Sequence, residues 1–289
     1  MAASAPVSDP GRAGKRAPAR AGNLVLRVAS AVILAPLALG TAFVGGWAFA
    51  LFWTLAAVAV LWEWTALVAD RRYRLLVVSG AGAIAVAGLL ADRGRTVAAA
   101  LVLALGALAA TVFAPRGRRL WILGGVGYAG IMLLAPMILR SDQGYGFFAM
   151  LFLFVVVWTT DVLGYAGGRA CGGPRLAPAI SPNKTWAGAA SGTLGAMAVT
   201  ALGVHVLGGF DIGALIVLAL VLSIAAQLGD LMESRIKRHF GAKDTSRLIP
   251  GHGGVMDRLD GFWAAALAGC LIGLARGGLD AAARGLLVW

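Results

Sequence analysis

Long apolar runs recur from about residue 28 to the C-terminal end, separated by short polar connections. About 20 helical residues cross the hydrocarbon of a bilayer, so each run predicts a membrane-spanning α-helix. Nine spans are predicted, at 26–44, 47–69, 75–91, 96–113, 120–139, 146–168, 186–207, 212–233 and 261–276. Only Gly45-Gly46 divides the first two, and the segment 279–289 is short and expected to fray or lie at the interface. The alternating segments that a membrane β-barrel requires are absent. The predicted fold class is all-α: a polytopic integral membrane helical bundle of about nine transmembrane helices.

Composition agrees with that pattern. The chain is 60% hydrophobic and 13% charged, and its mean hydropathy is +0.83; soluble domains carry roughly 25% charged residues. The 41 glycines suit close helix approach in lipid. Residues 1–23 are rich in Ala, Pro, Gly and Arg and lack an apolar core, which predicts a disordered basic cytoplasmic tail rather than a signal peptide. Cys171 falls in a predicted loop and Cys270 inside a span, so no disulfide is expected.

Charge orients the bundle. With the N-terminus in the cytoplasm, most of the 25 Lys and Arg fall on that side; only Arg93, Arg95, Arg140, Arg276 and Arg284 fall on the other. That asymmetry follows the positive-inside rule. The net charge of +12 then reflects topology and contact with anionic membrane lipids, not nucleic acid, for which no motif is present. The expected location is the cytoplasmic (inner) membrane. Residues 24–289 are expected to form one membrane domain, with scaffolding helices in 24–145, a catalytic half in 146–276 and a short C-terminal segment in 277–289. The scaffolding part has one acid well inside a span, Glu63, between Trp62 and Trp64. The catalytic half has Asp161, Asp230, Glu233, Asp244, Asp257 and Asp260.

An acid inside a span costs roughly 2.5–3.5 kcal/mol at a helix centre and usually faces a cavity or a partner. Ser223, Gln227, Asp230, Ser234 and Lys237 step by three or four residues and so share one helix face, with Glu233 on its flank. A helix end emerging into water would explain Glu233 onward, but not Gln227 and Asp230 below it. Asp161 has Tyr165 one turn later and Gly168-Arg169 after two turns. In "AISPNKTWAG", Pro178 just before it and Pro182 within it exclude helix, while Ser181, Asn183 and Thr185 can cap the span that starts near Trp186. Lys184 sits close to that helix N-terminus, where a cation is unfavourable unless an anion joins it, so a phosphate site is expected there.

The stretch "SRIKRHFGAKDTSRLIPGHGGVMDRLDG" concentrates charge directly before the last span. Asp257 and Asp260 stand three apart at its mouth, and "PGHGG" has glycines that let backbone N–H groups approach a ligand. Lys237, Arg238, Lys243 and Arg258 supply positive charge. Carboxylates of this kind suit a hard cation such as magnesium, which shares ligands with substrate phosphates. Zinc is disfavoured, because the cysteines are isolated and no helix carries a His pair. His252 is as readily a loop hydrogen-bonder as a catalytic group. Acids within spans, a basic cytoplasmic rim and two helix N-termini together point to phosphoryl or nucleotidyl transfer to a molecule of the bilayer.

At this point the chain resembles a known family, the phosphatidate cytidylyltransferases (CDP-diacylglycerol synthases). The resemblance rests on Ser234, Lys237-Arg238, Lys243-Asp244, Pro250-Gly251-His252-Gly253-Gly254, Asp257-Arg258 and Asp260. Gln227-Leu228-Gly229-Asp230-Leu231 and the Asp161, Tyr165, Gly168-Arg169 pattern are similar as well. The family usually reads Ser-Pro-Lys-Lys-Thr-Trp-Glu-Gly where this chain has Ser181-Pro182-Asn183-Lys184-Thr185-Trp186-Ala187-Gly188, so one cation and one acid are missing.

The resemblance implies that CTP and phosphatidate give CDP-diacylglycerol and pyrophosphate with magnesium, and hints at a homodimer; the charge asymmetry puts the site on the cytoplasmic side. It associates the positions of Asp230 and Asp257 with metal, and Asp161, Glu233 and Asp260 are expected as further ligands or neighbours. Lys184, Lys237, Arg238 and Arg258 are expected to act with Asp230 and Asp257 in catalysis. Tyr165, Arg169, Ser181, Asn183, Thr185, Ser234, Lys243, Asp244, His252, Gly253 and Gly254 are expected to bind substrate. The alternatives are a cation-coupled secondary transporter, which also uses intramembrane acids and broken helices, and a related lipid kinase or CDP-isoprenoid-lipid synthase.

Overall fold

A computed structural model of the chain describes residues 18–69, 74–246, 248–249 and 253–289. The described residues form α1 (Pro18–Val44), α2 (Gly46–Ala69), α3 (Arg74–Asp92), α4 (Thr96–Phe113), α5 (Arg119–Arg140), α6 (Gly146–Cys171), α7 (Trp186–Leu207), α8 (Ile212–His239), α9 (Met256–Gly277) and α10 (Ala282–Leu287). A hairpin of β1 (Arg175–Ala177) and β2 (Ser181–Thr185) joins α6 to α7. The expected all-α membrane bundle is present, with this small antiparallel insert where the prolines exclude helix. Six segments among the described residues are long and apolar enough to cross a bilayer, and they fall in α2 and α5 through α9. The apolar parts of α1, α3 and α4 are shorter, at Val32–Val44, Val77–Asp92 and Thr96–Val112. The expected tail at 1–23 lies mostly outside the described residues.

Helices outlast hydropathy at the charged ends. The apolar run of α8 was expected to stop at 233, yet the helix continues to His239, and α9 begins at Met256 rather than at 261. Both extensions carry polar side chains with partners inside the protein, so they stay helical without facing lipid.

α9 lies centrally, packed against α8, α10, α5, α6 and α2. Two aromatic clusters fix it directly beyond its acidic first turns. The Phe262 ring stacks between Trp53 (centroids 4.9 Å apart) and Phe154 (5.2 Å). The Trp263 ring stacks on Tyr128 at 4.4 Å and donates its indole N–H to the Tyr128 carbonyl at 2.9 Å. Such ring pairs add about 0.5–1.5 kcal/mol each beyond buried area. Gly229 lets α8 approach α9: a Cβ there would lie 2.6 Å from both the Asp260 carbonyl and the Ala264 methyl. That close crossing brings the acids of the two helices together.

The C-terminal segment is packed rather than frayed. Ala282, Ala283, Leu286 and Leu287 are buried, and α10 lies along α9. Arg276 donates to the Gly285 and Val288 carbonyls and stacks its guanidinium 3.6 Å from the Trp289 ring centroid. An arginine with carbonyl and ring partners holds a short helix that hydropathy alone leaves loose.

Candidate active site

The polar face of α8 divides into two parts. Toward the middle of the bundle, Thr160 donates to Ser223 at 2.8 Å, Ser223 lies 3.0 Å from Thr193, and Gln227 donates to Thr193 at 2.9 Å. This ladder ties α6, α7 and α8 together, and interhelical bonds of this kind are worth about 0.6 kcal/mol on average in a membrane. Ser223 and Gln227 thus have packing partners, and the ionisable chemistry begins at Asp230.

From there a cavity of about 860 Å³ opens. The end of α6 lines it with Asp161, Tyr165 and Arg169, and the hairpin contributes Ser181, Asn183, Lys184 and Thr185. α8 adds Gln227, Asp230 and Lys237, Asp244 follows, and the start of α9 adds Asp257, Arg258 and Asp260. Most of the residues expected from sequence therefore meet in one place, although they come from segments far apart in the chain.

Local structure explains each placement. Thr185 is the N-cap of α7; its Oγ1 accepts from the Gly188 N–H at 3.0 Å. Pairing of Arg175 with Thr185 across the hairpin sets Lys184 beside the cavity. The anion that joins Lys184 is a side chain of the protein itself, Asp230, with which it forms an ion pair. Tyr165 is exposed and accepts from Arg169 at 3.1 Å, so its partner is this arginine and not Asp161.

Lys237 is buried between two carboxylates, with its Nζ 2.5 Å from Glu233 and 2.6 Å from Asp257. The remaining Asp257 oxygen accepts from the Gly254 N–H at 2.8 Å, the Thr245 N–H at 3.0 Å and the Thr245 hydroxyl at 3.1 Å. The N–H of Gly254, expected to meet a ligand, is thus occupied by the protein's own carboxylate. Gly253 is bridged through its backbone to Ile249 and takes a φ of 91°, a conformation glycine adopts without strain.

Other expected residues stand aside from the cavity. Ser234 donates to Asp230 at 3.3 Å. Arg238 donates to the Ala242 carbonyl at 3.0 Å, and Lys243 is exposed. His252 lies outside the described residues.

The acids pass a test for a cation site. One oxygen from each of Asp230, Glu233 and Asp260 lies within 4.8 Å of the others. Glu233 is fully buried, and while one of its oxygens meets the Lys237 ammonium, the other has no hydrogen-bond partner among the described residues. Its nearby counter-charge is the ammonium it shares with Asp257. Buried carboxylates need compensation, and a hard divalent cation with oxygen ligands supplies it. Asp161 and Asp257 line the same cavity outside that closest group.

Sequence reasoning noted Glu63 without giving it a place at the site. It comes from α2 and is fully buried. Its oxygens accept from the Thr245 hydroxyl (3.1 Å), the Ser246 hydroxyl (2.6 Å), the Val255 N–H (2.8 Å) and the Met256 N–H (2.7 Å). The available signal was an acid alone in the middle of an apolar span, which requires a partner.

The fold and the cavity define a helical membrane protein whose interior presents carboxylates and cations together, suited to a divalent ion and a phosphate-bearing ligand. The profile of the Cytidylyltransferase family matches residues 25–272, and the chain belongs to that family. It is similar to a phosphatidate cytidylyltransferase of Brucella abortus biovar 1 (strain 9-941), 44% identical over 249 residues, covering 84% of this chain and 91% of the relative. A phosphatidate cytidylyltransferase of Haemophilus influenzae is 39% identical over 142 residues, covering 47% of this chain and 49% of the relative. One of Staphylococcus haemolyticus is 43% identical over 138 residues, covering 47% and 52%.

Proposed function

We propose that this chain transfers the cytidylyl group of CTP to phosphatidate, giving CDP-diacylglycerol and pyrophosphate. The observation that carries this reading is the gathering of Asp230, Glu233 and Asp260 at a cavity that also presents Arg169, Lys184 and Arg258. Family membership and the Brucella relative's 91% coverage support it.

The chemistry is limited by charge. A phosphate monoester with a second pKa near 6 is largely dianionic at neutral pH, so the lipid phosphate needs no general base. Its oxygen attacks the α-phosphorus of CTP in line. The bond from the α-phosphorus to the bridging oxygen breaks, and pyrophosphate leaves with that electron pair. The protein must hold two polyanions together, a task of positioning and electrostatics. Arg258, Lys184 and Arg169 bind phosphate oxygens, and Lys184 exchanges its Asp230 partner for substrate. Lys237 keeps Glu233 and Asp257 in place. Asp230, Asp257, Glu233 and Asp260 would hold magnesium, with Asp161 close by; when bound, the ion neutralises charge developing on the triphosphate.

The finer topology belongs to this reading. All nine long helices cross the membrane, with α1, α3 and α4 completed by polar ends, the N-terminus in the cytoplasm of a cell with an inner membrane, and the cavity opening to that side. The helices of 24–145 serve as scaffold and 146–276 as the reacting half. The positive-inside asymmetry supports both the orientation and the side of the cavity.

Purified protein in detergent, given labelled CTP and phosphatidate, should form CDP-diacylglycerol with magnesium and none with EDTA. Absence of product with magnesium, or uptake of a solute into liposomes without CTP, overturns the proposal.

A further inference from the structure

Among the described residues of its part of the sequence Glu63 is the one buried acid, yet it has four donors and all four come from the segment leading into α9. Two are backbone N–H groups, of Val255 and Met256, at the start of that helix. A helix leaves its first N–H groups without internal partners, and a carboxylate there satisfies them and meets the positive end of the dipole. Val255 itself, the N-cap residue, has no side-chain cap bond. The cap is supplied from another helix.

The next residue is Asp257, which accepts from Thr245 and Gly254. Thr245 joins both anions, its hydroxyl lying 3.1 Å from Glu63 and 3.1 Å from Asp257. Gly254 is required between them: a Cβ there would lie 2.6 and 2.7 Å from the Glu63 oxygens. Any shift of Glu63 therefore reaches Asp257, Arg258 and Asp260 through one helical turn.

We propose that Glu63 is a positioning residue for nucleotidyl transfer: from α2 it fixes the first turn of α9 and so sets Asp257, Arg258 and Asp260 at the cavity. The inference rests on the cavity being the reaction site. Glu63 touches no substrate; it acts through the backbone of α9.

The test uses the full chain in detergent, with Glu63→Gln and Glu63→Asp. Glutamine sets an NH2 donor against N–H and O–H donors, while aspartate keeps the charge on a shorter arm. Without metal or substrate, backbone hydrogen exchange at Val255 and Met256 should accelerate about tenfold or more in Glu63→Gln, as a charge-assisted bond is lost. The magnesium concentration for half-maximal turnover should rise about 10- to 100-fold, the usual cost of losing an outer partner of a metal site. kcat at saturating magnesium should fall less. Glu63→Asp should recover part of both shifts. Should Glu63→Gln fail to fold, Ser246→Ala removes one donor to Glu63 and should move both readouts in the same direction by smaller factors. A lower Tm with unchanged exchange and unchanged magnesium dependence, in whichever variant folds, overturns the inference. An inactive wild-type chain would instead overturn the reading of the cavity.

Discussion

Glu63 and Glu233 are both fully buried glutamates on apolar helices, and their surroundings are opposite. Glu63 has every oxygen filled by hydroxyl or amide donors, with no cation among these partners. Glu233 has a single ammonium, shared with Asp257, on one oxygen, no donor to the other among the described residues, and the oxygens of Asp230 and Asp260 for neighbours. A carboxylate met by fixed dipoles is stable as it stands and holds structure. Carboxylates crowded together repel one another, and either a proton or an external cation relieves that repulsion. The contrast separates an acid satisfied by the protein's own donors from one in a cluster able to take a cation, where residue type and burial do not.

The strongest check on this contrast removes charge from the crowded group. Asp230→Asn and Asp260→Asn should each lower CDP-diacylglycerol formation by about 10³-fold, corresponding to the several kcal/mol a bound cation contributes. Helical circular dichroism should stay at the wild-type level. EDTA should have the same effect on the wild type, with recovery on adding magnesium; turnover near wild type in either variant would remove that residue from the cation site.

Lys237→Met comes next. It leaves Glu233 and Asp257 without their common cation, and breaking a buried pair costs about 3–5 kcal/mol. Tm in detergent should fall clearly, and added magnesium should restore part of the loss. An unchanged Tm would mean that water or other groups compensate these acids.

Arg258→Ala should raise KM for CTP about tenfold, the scale of one charge-assisted bond. Arg238→Ala should change it much less, because Arg238 already serves the Ala242 carbonyl away from the cavity. Equal effects of the two variants would mean that the charge of the rim matters more than its placement. The smallest effect belongs to Thr185→Ala, which removes the cap of α7 and should cost about 1 kcal/mol, read as a modest fall in Tm.

Much of the site was legible in the chain. Asp161, Lys184, Asp230, Asp257, Arg258 and Asp260 were singled out by charge inside or beside apolar runs, and all line the cavity. Ser223 and Gln227 looked alike with Asp230 by helical spacing, yet they bond to Thr160 and Thr193 on neighbouring helices. Spacing reports which face a residue occupies, not what stands opposite. Likewise, glycine content before α9 points to close backbone approach without saying to what; Gly254 makes room for Glu63 and donates to Asp257. Hydropathy stops short of the ends of α8 and α9 because it senses lipid contact, and those turns are helical inside protein.

By itself the sequence determined a helical membrane protein, the approximate span of each helix, its expected orientation and the pool of residues able to handle phosphate and metal. These follow from local quantities: hydropathy over about 20 residues, the helical period and the price of charge in lipid. Only the tertiary structure decided which acids are satisfied and which are crowded. Thr245 and Glu63 are 182 positions apart, and Lys184 on the hairpin meets Asp230 on α8 with the whole of α7 between them in the chain. Compensation of a buried charge depends on atoms within about 3 Å, and helix packing alone brings such atoms together.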